Sequence, residues 1–164
     1  MPVYLRTLIF TIVAPGTVAG LLPWLIAGAA PESLPFDPTM QFGAFRHVGW
    51  ILVAIGAAGY LLCAFHFTFE GKGTPFPLDA PTTFVAVGLY RFVRNPMYVT
   101  VGTIVLGEML LYENANLLLY FGALWLVFHC FVVFYEEPHL RRLFGGEYEG
   151  YCVLVPRWFP QLPD

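Results

Sequence analysis

Between Val48 and Phe69 the chain carries no Asp, Glu, Lys or Arg. As a helix, an uncharged apolar run of that length crosses the hydrocarbon core of a bilayer. Three further apolar runs accompany it. The first covers Val3 to Ala30 and is interrupted by Pro15, Gly16, Gly20 and Pro23. Such breaks are tolerated in a membrane when neighbouring groups satisfy the freed backbone. The third begins after Pro96, ends near Tyr112 and contains Glu108. The fourth, Leu117 to Tyr135, is long enough to span. Only Glu113 to Asn116 separates the last two, so they form a tight helical hairpin. Composition agrees: 58% of residues are hydrophobic and 12% charged, about half the charge of a soluble domain. The sequence therefore predicts an all-α integral membrane protein with about four transmembrane helices and a polar C-terminal cap. One domain is expected, with two N-terminal spans over 1–70 and a loop over 71–97. The hairpin follows over 98–135 and the cap over 136–164. No AxA-like cleavage signal follows the first run, which reads as a retained span.

Four spans place both termini on one side. Arg6, Lys72, Arg91, Arg94, Arg141, Arg142 and Arg157 then share that side, leaving Arg46 alone opposite. The positive-inside rule puts the termini, the central loop and the cap in the cytoplasm. Pro31 to Gln41 is a Pro-rich connection on the far side, and Gly71 to Pro81 reads as a loop of fixed shape.

Several function classes are excluded or disfavoured. The net charge of -3 and the scattered basic residues disfavour nucleic acid. Cys63, Cys130 and Cys152 form no CxxC, and the four His add no metal-ligand spacing, so no metal is expected. There is no P-loop. Ser33 is the only serine, and no GxSxG hydrolase is present.

Polar residues concentrate at two places, Gly88 to Tyr98 and Tyr135 to Trp158. The first opens the third span, the second closes the fourth, and the hairpin brings both to one face. Each has two readings. Asn95 and Pro96 suit a helix start, with Asn capping and Pro in the first turn; the same amides attract a carboxylate. Arg91 and Arg94 are either membrane-surface anchors or holders of a lipid phosphate or cofactor carboxylate. Glu136 and Glu137 end an apolar helix, where the dipole disfavours acids. Either Arg141 and Arg142 offset them, or they bind ribose hydroxyls or an ammonium group. Glu108 reaches the far interface, pairs within the bundle, or marks a functional group at membrane depth. His66 and His129 on apolar helices read as satisfied packing residues.

Together these residues resemble a known family. Arg94-Asn95-Pro96-Met97-Tyr98 precedes the hairpin, and Glu136-Glu137 follows it. Leu140, Phe144-Gly145, Tyr148, Tyr151 and Pro156-Arg157 complete the tail, and Gly73-Thr74-Pro75 with Gly88-Leu89-Tyr90-Arg91 lead in. The ordered set resembles the isoprenylcysteine carboxyl methyltransferase and phospholipid methyltransferase superfamily, its bacterial members above all. Many members have His at the position of Asn95, and the phospholipid-methylating relatives resemble the Asn form.

The resemblance implies S-adenosylmethionine-dependent methyl transfer at the cytoplasmic face of a bacterial inner membrane. The acceptor would be lipid-like or a small hydrophobic molecule from the bilayer, presenting a carboxylate, amine or thiol. Asn95, Pro96 and Tyr98 would help hold the cofactor. Glu136 and Glu137 would take its ribose or amino group, and either would accept a proton where the acceptor needs to lose one. Tyr148 and Tyr151 would close over the pocket. Arg94, Arg141 and Arg157 would face a cofactor carboxylate or the substrate, as would Arg91 on the substrate side. Two other functions stand beside this one: a non-catalytic membrane scaffold that keeps the fold, and a small transporter built around Glu108. The sequence sets no oligomeric state.

Overall fold

The structure, a computed structural model, describes residues 2–29, 41–71 and 84–161. The Pro-rich connection at 31–40, and the loop at 72–83 with Lys72 and Gly73-Thr74-Pro75, lie outside the described residues. Helices dominate the rest: α1 (Val3–Gly16), α2 (Leu22–Ala27), α3 (Arg46–Phe69), α4 (Pro96–Tyr112), α5 (Asn116–Phe131), α6 (Glu137–Phe144) and α7 (Gly146–Leu154).

Three helical stretches are long and apolar enough to cross a membrane: Val3–Ala27, Gly43–Phe69 and Asn116–Phe144. The fourth, α4, is apolar but has 17 residues. It rises about 25 Å, less than the ~30 Å of a hydrocarbon core. Its polar ends, Asn95 and Glu113, are thereby drawn to the two boundaries. At the far end Glu113 accepts a hydrogen bond from the Phe42 amide at 3.0 Å and lies 3.8 Å from the Arg46 guanidinium. This ties the start of α3 to the end of α4. At the opposite end Thr7 meets Thr68, so the starts of α1 and α4 share a face with the ends of α3 and α5.

Two prolines shape the spans by one mechanism. A proline cannot donate to the carbonyl four residues back, and its ring crowds that carbonyl. Pro23 stands four after Ala19, and Pro138 four after Phe134. Both target carbonyls fall inside π-bulges, Thr17–Leu21 and Val132–Glu136. In the first, Ala19 leaves helical geometry at φ -116°, ψ 35° and the Leu22 amide bonds to Thr17. In the second, the Glu137 amide bonds to Val132. The fourth span therefore does not end at Tyr135, as the acidic pair suggests; it passes through the bulge and continues to Phe144. Glu136 and Glu137 lie within a helix rather than at its C-terminal pole.

α3 and α4 run antiparallel in backbone contact. A Cβ on Gly49 would stand 2.6 Å from the Gly107 carbonyl, and one on Gly56 2.8 Å from the Thr100 carbonyl. Small residues permit such approach between spans. Tyr60, Ala64, Val101, Val105 and Leu124 form the core that α3, α4 and α5 share. Gly56→Val should destabilise the fold by at least about 2 kcal/mol through overpacking. Gly122→Ala, whose Cβ meets nothing within 4 Å, should be neutral; detergent-denaturation midpoints of the two variants measure the difference.

Candidate active site

The segment before α4 is locally determined. Gly88 has φ +58°, and a Cβ there would lie 2.5 Å from His66 Nε2. Both constraints demand glycine. The short 3-10 turn it opens, Gly88–Arg91, buries Tyr90 and leads the chain to Arg94. Asn95 then takes an extended-like φ of -120°, as the residue before a proline must, and Pro96 begins α4. Asn95 occupies the capping position without capping: its side chain bonds no amide of α4. Instead Asn95 Nδ2 donates to the Arg157 carbonyl at 3.1 Å.

That bond is one of several holding the C-terminal segment across the motif. The Arg94 amide donates to the Pro156 carbonyl at 2.8 Å, and the Gln161 amide to the Phe92 carbonyl at 3.0 Å. Trp158 packs on Trp125 at 4.8 Å between centroids and donates from Nε1 to His129 Nδ1 at 3.1 Å. His129 is thus a satisfied packing residue. His66 likewise bonds Glu70 at 2.9 Å.

The acidic pair divides. Glu137 is 4% exposed. It accepts two bonds from Arg157, Nε at 2.6 Å and Nη2 at 3.0 Å, and a third from Arg94 Nη1 at 3.2 Å. Its charge is therefore met twice over by cations from elsewhere in sequence. The Arg157 pKa is raised, first because its guanidinium donates to Glu137. Arg94 Nη1 also donates to Cys152 Sγ at 2.9 Å, a contact with no signal in the sequence. Glu136 accepts one bond, from the Tyr98 hydroxyl at 2.8 Å, and turns toward a cavity.

The offset expected from Arg141 and Arg142 is not observed. Both are exposed and form no ion pair among the described residues. Arg141 stands one turn from Glu137 on α6 but extends to the exposed surface, while Glu137 is buried. Arg91 is exposed too and does not line the cavity. Tyr148 is buried beneath α7, against Phe84 and Tyr151. Tyr151 donates from its hydroxyl to the Tyr90 carbonyl at 2.6 Å. Burial raises the pKa of both phenols, so they remain neutral donors.

The cavity, about 130 Å³, lies between α1, α3, α4 and the end of α5. Its polar end is Arg94, Asn95, Tyr98 and Glu136; its apolar walls include Phe10, Val18, Val101 and Phe128. Arg94 Nε is buried without a hydrogen-bond partner among the described residues. The Arg94 side chain thus borders the cavity beside a carboxylate that has acceptor capacity beyond its bond from Tyr98. The α1 wall was missed by motif reasoning, although the cluster of Pro and Gly from Pro15 to Pro23 signals that this span is irregular. Glu108 is outside the cavity lining, and its Oε2 is buried with no partner among the described residues.

Removing one side of a buried ion pair strands the other. Glu137→Gln should cost about 3 kcal/mol of stability, because Arg94 is left buried and unpaired. Glu136→Gln keeps an oxygen to accept from the Tyr98 hydroxyl and should cost no more than about 1 kcal/mol. Denaturant titration of the two variants in parallel detergent solutions tests the split.

Comparison with known proteins agrees with this geometry. No curated protein matches the chain. The family model for phospholipid methyltransferase matches residues 45–147, well over half of the chain, from the start of α3 to the start of α7. The match contains the Arg94 to Tyr98 motif, the hairpin and both acidic residues, and the chain belongs to the phospholipid methyltransferase family.

Proposed function

We propose that the protein transfers a methyl group from S-adenosylmethionine to an amine on a lipid-like acceptor, at the membrane face where α4 begins. Membership of the family makes it a membrane methyltransferase. The observation that carries the finer reading is the convergence of Arg94, Asn95, Tyr98 and Glu136 at one end of an otherwise apolar cavity.

S-adenosylmethionine supplies a methyl group on a sulfonium, activated before the protein acts on it. The residues present fit its amino-acid end. Arg94 is the cationic side chain in the cavity lining, and a guanidinium suits a carboxylate. Glu136 has lone pairs to spare beyond its bond from Tyr98 and suits an ammonium group. Asn95 and Pro96 set where Arg94 stands, and Glu137 with Arg157 fixes the Arg94 guanidinium by holding Nη1. Glu137 and Arg157 serve as positioning residues, while Arg94, Tyr98 and Glu136 make the contacts. Tyr148 and Tyr151 hold α7 against the motif. Arg141 and Arg91, exposed at the same face, belong to the membrane surface and its lipid headgroups.

The chain's remaining tasks are alignment and exclusion of water. The acceptor nitrogen must meet the methyl carbon on the side opposite sulfur. Aromatic rings of Tyr60, Phe67, Tyr90, Tyr98 and Phe128 line the cavity, and Arg94, the cation among its lining residues, is already balanced by Glu137. Ring faces and a carboxylate receive an amine or ammonium better than an anionic carboxylate. An amine must be unprotonated to attack. The lopsided distribution of Arg and Lys assigns this face to the cytoplasm. The transporter alternative depended on Glu108, which stands away from the cavity.

Calorimetry with S-adenosylmethionine on the purified protein tests the cofactor. Saturable binding is expected, weakened in Glu136→Gln by about 2 kcal/mol, roughly thirtyfold. No binding by the unaltered protein overturns the assignment and returns the non-catalytic scaffold. Equal affinity in the variant removes Glu136 from the contact set. Transfer of labelled methyl to membrane extracts, followed by identification of the product, tests the amine acceptor; a methyl ester or thioether would refute it.

A further inference from the structure

The two halves of the first span are held in different ways. α2 is anchored: Pro23 is fully buried, and the helix packs on α4 and α5. α1 has one buried residue, Thr7. Its outer side chains Tyr4, Ile12 and Val13 are 66%, 64% and 62% exposed, as lipid-facing groups are. Its inner side chains Phe10, Ala14 and Pro15 form one wall of the cavity.

Two hydroxyl pairs tie α1 to α3: Thr7 with Thr68 at 3.0 Å and Thr11 with Tyr60 at 3.1 Å. Counting hydrogens fixes their direction. The Thr68 hydroxyl donates to the Ala64 carbonyl and that of Thr11 to the Thr7 carbonyl, each at 2.8 Å. Thr7 must then donate to Thr68, and Tyr60 to Thr11. When the pairs part, Thr11 and Thr68 keep their bonds to their own helices. Thr7 has an equivalent choice, the carbonyl four residues back. The contacts are specific, and their release leaves the threonines bonded to their own helices and strands the Tyr60 hydroxyl alone.

A pivot lies between the halves. In the π-bulge Thr17–Leu21 the Leu22 amide bonds to Thr17, which frees the Val18 carbonyl. The Tyr120 hydroxyl takes that carbonyl at 2.7 Å, pinning the bulge to α5. Ala19 sits outside helical geometry beside this pin. Bulges and prolines are where helices bend.

We propose that α1 is a lid on the cavity: it pivots at Thr17–Leu21, releases the Thr7–Thr68 and Thr11–Tyr60 latch, and admits the chain of an amphiphile from the bilayer. This rests on the reading of the cavity as the acceptor's site. With α1 closed, Phe10 and Pro15 separate Met97 and Val101 from lipid. With α1 open, those side chains meet it.

The test uses the full chain in vesicles of phosphatidylethanolamine and phosphatidylglycerol doped with a diazirine-bearing phosphatidylethanolamine. Adducts are mapped by mass spectrometry after illumination. In Thr7→Cys/Thr68→Cys the closed state is locked by oxidation and released by reduction. Reduced protein should carry adducts at Met97 to Val101, and oxidation should lower them by about tenfold or more. Adducts at the lipid-facing Leu118 and Leu126 should not change, which controls for folding and insertion. Thr7→Val/Thr11→Val removes the latch without a cross-link and should raise the inner adducts by about threefold. Equal inner adducts in the oxidised and reduced states, or in the unlatched and unaltered chains, overturn the lid. Absence of inner adducts in every state also overturns it. Methyl transfer is measured on the same samples. Inner adducts that follow the lock, with no methyl transfer in any state, would leave the lid standing and refute the methyltransferase reading instead.

Discussion

A carboxylate buried at the boundary of an apolar bundle has to be neutralised where it stands, and Glu137 is neutralised by two arginines from distant parts of the chain. Desolvating three charges is expensive, and the geometry has to be good to repay it. The repayment orders the site. Arg94 is fixed at the start of α4, Arg157 draws the C-terminal segment across it, and Asn95 and the Arg94 amide complete the seam. Each partner of Glu137 is thus also a structural tie. Glu136, held by Tyr98 alone among the described residues, keeps spare lone pairs beside the cavity.

Proline chemistry explains why the two glutamates differ. An undisturbed helix would place adjacent residues about 100° apart and end the apolar span near the pair. Pro138 forbids the bond to Phe134, the helix takes up a π-bulge, and the span carries on with Glu137 turned to the arginines. The same device in the first span, with Pro23 and Ala19, makes a break that the Tyr120 hydroxyl repairs from outside. Both bulges border the cavity, through Val18 in the first and Glu136 in the second. Between them α3 and α4 form the rigid element, their backbones pressed together at Gly49, Gly56 and Gly107.

Much of this was legible beforehand. Uncharged apolar runs fix spans because lipid leaves backbone groups no other partner. The Arg94 to Tyr98 motif, the hairpin and the acidic pair together pointed to the family. Local chemistry also placed Pro96 at a helix start. Asn95 shows the limit: its residue type fits a cap, and only the approach of Arg157 from the far end of the chain gives it another partner. Arg141 and Arg142 show it again. They are near Glu137 in sequence, but both are exposed, and the neutralising charge comes from Arg94 and Arg157.

The sequence by itself determined the class of fold, the apolar helices and the polar residues at their ends, because hydropathy, charge and proline act locally. The tertiary structure decided which of those residues meet. It separated Glu136 from Glu137, put Cys152 against Arg94 and made α1 a wall of the cavity. Those outcomes depend on burial and on partners between twenty and sixty residues apart. No local pattern encodes which of several equivalent arginines will be turned inward when the helices pack.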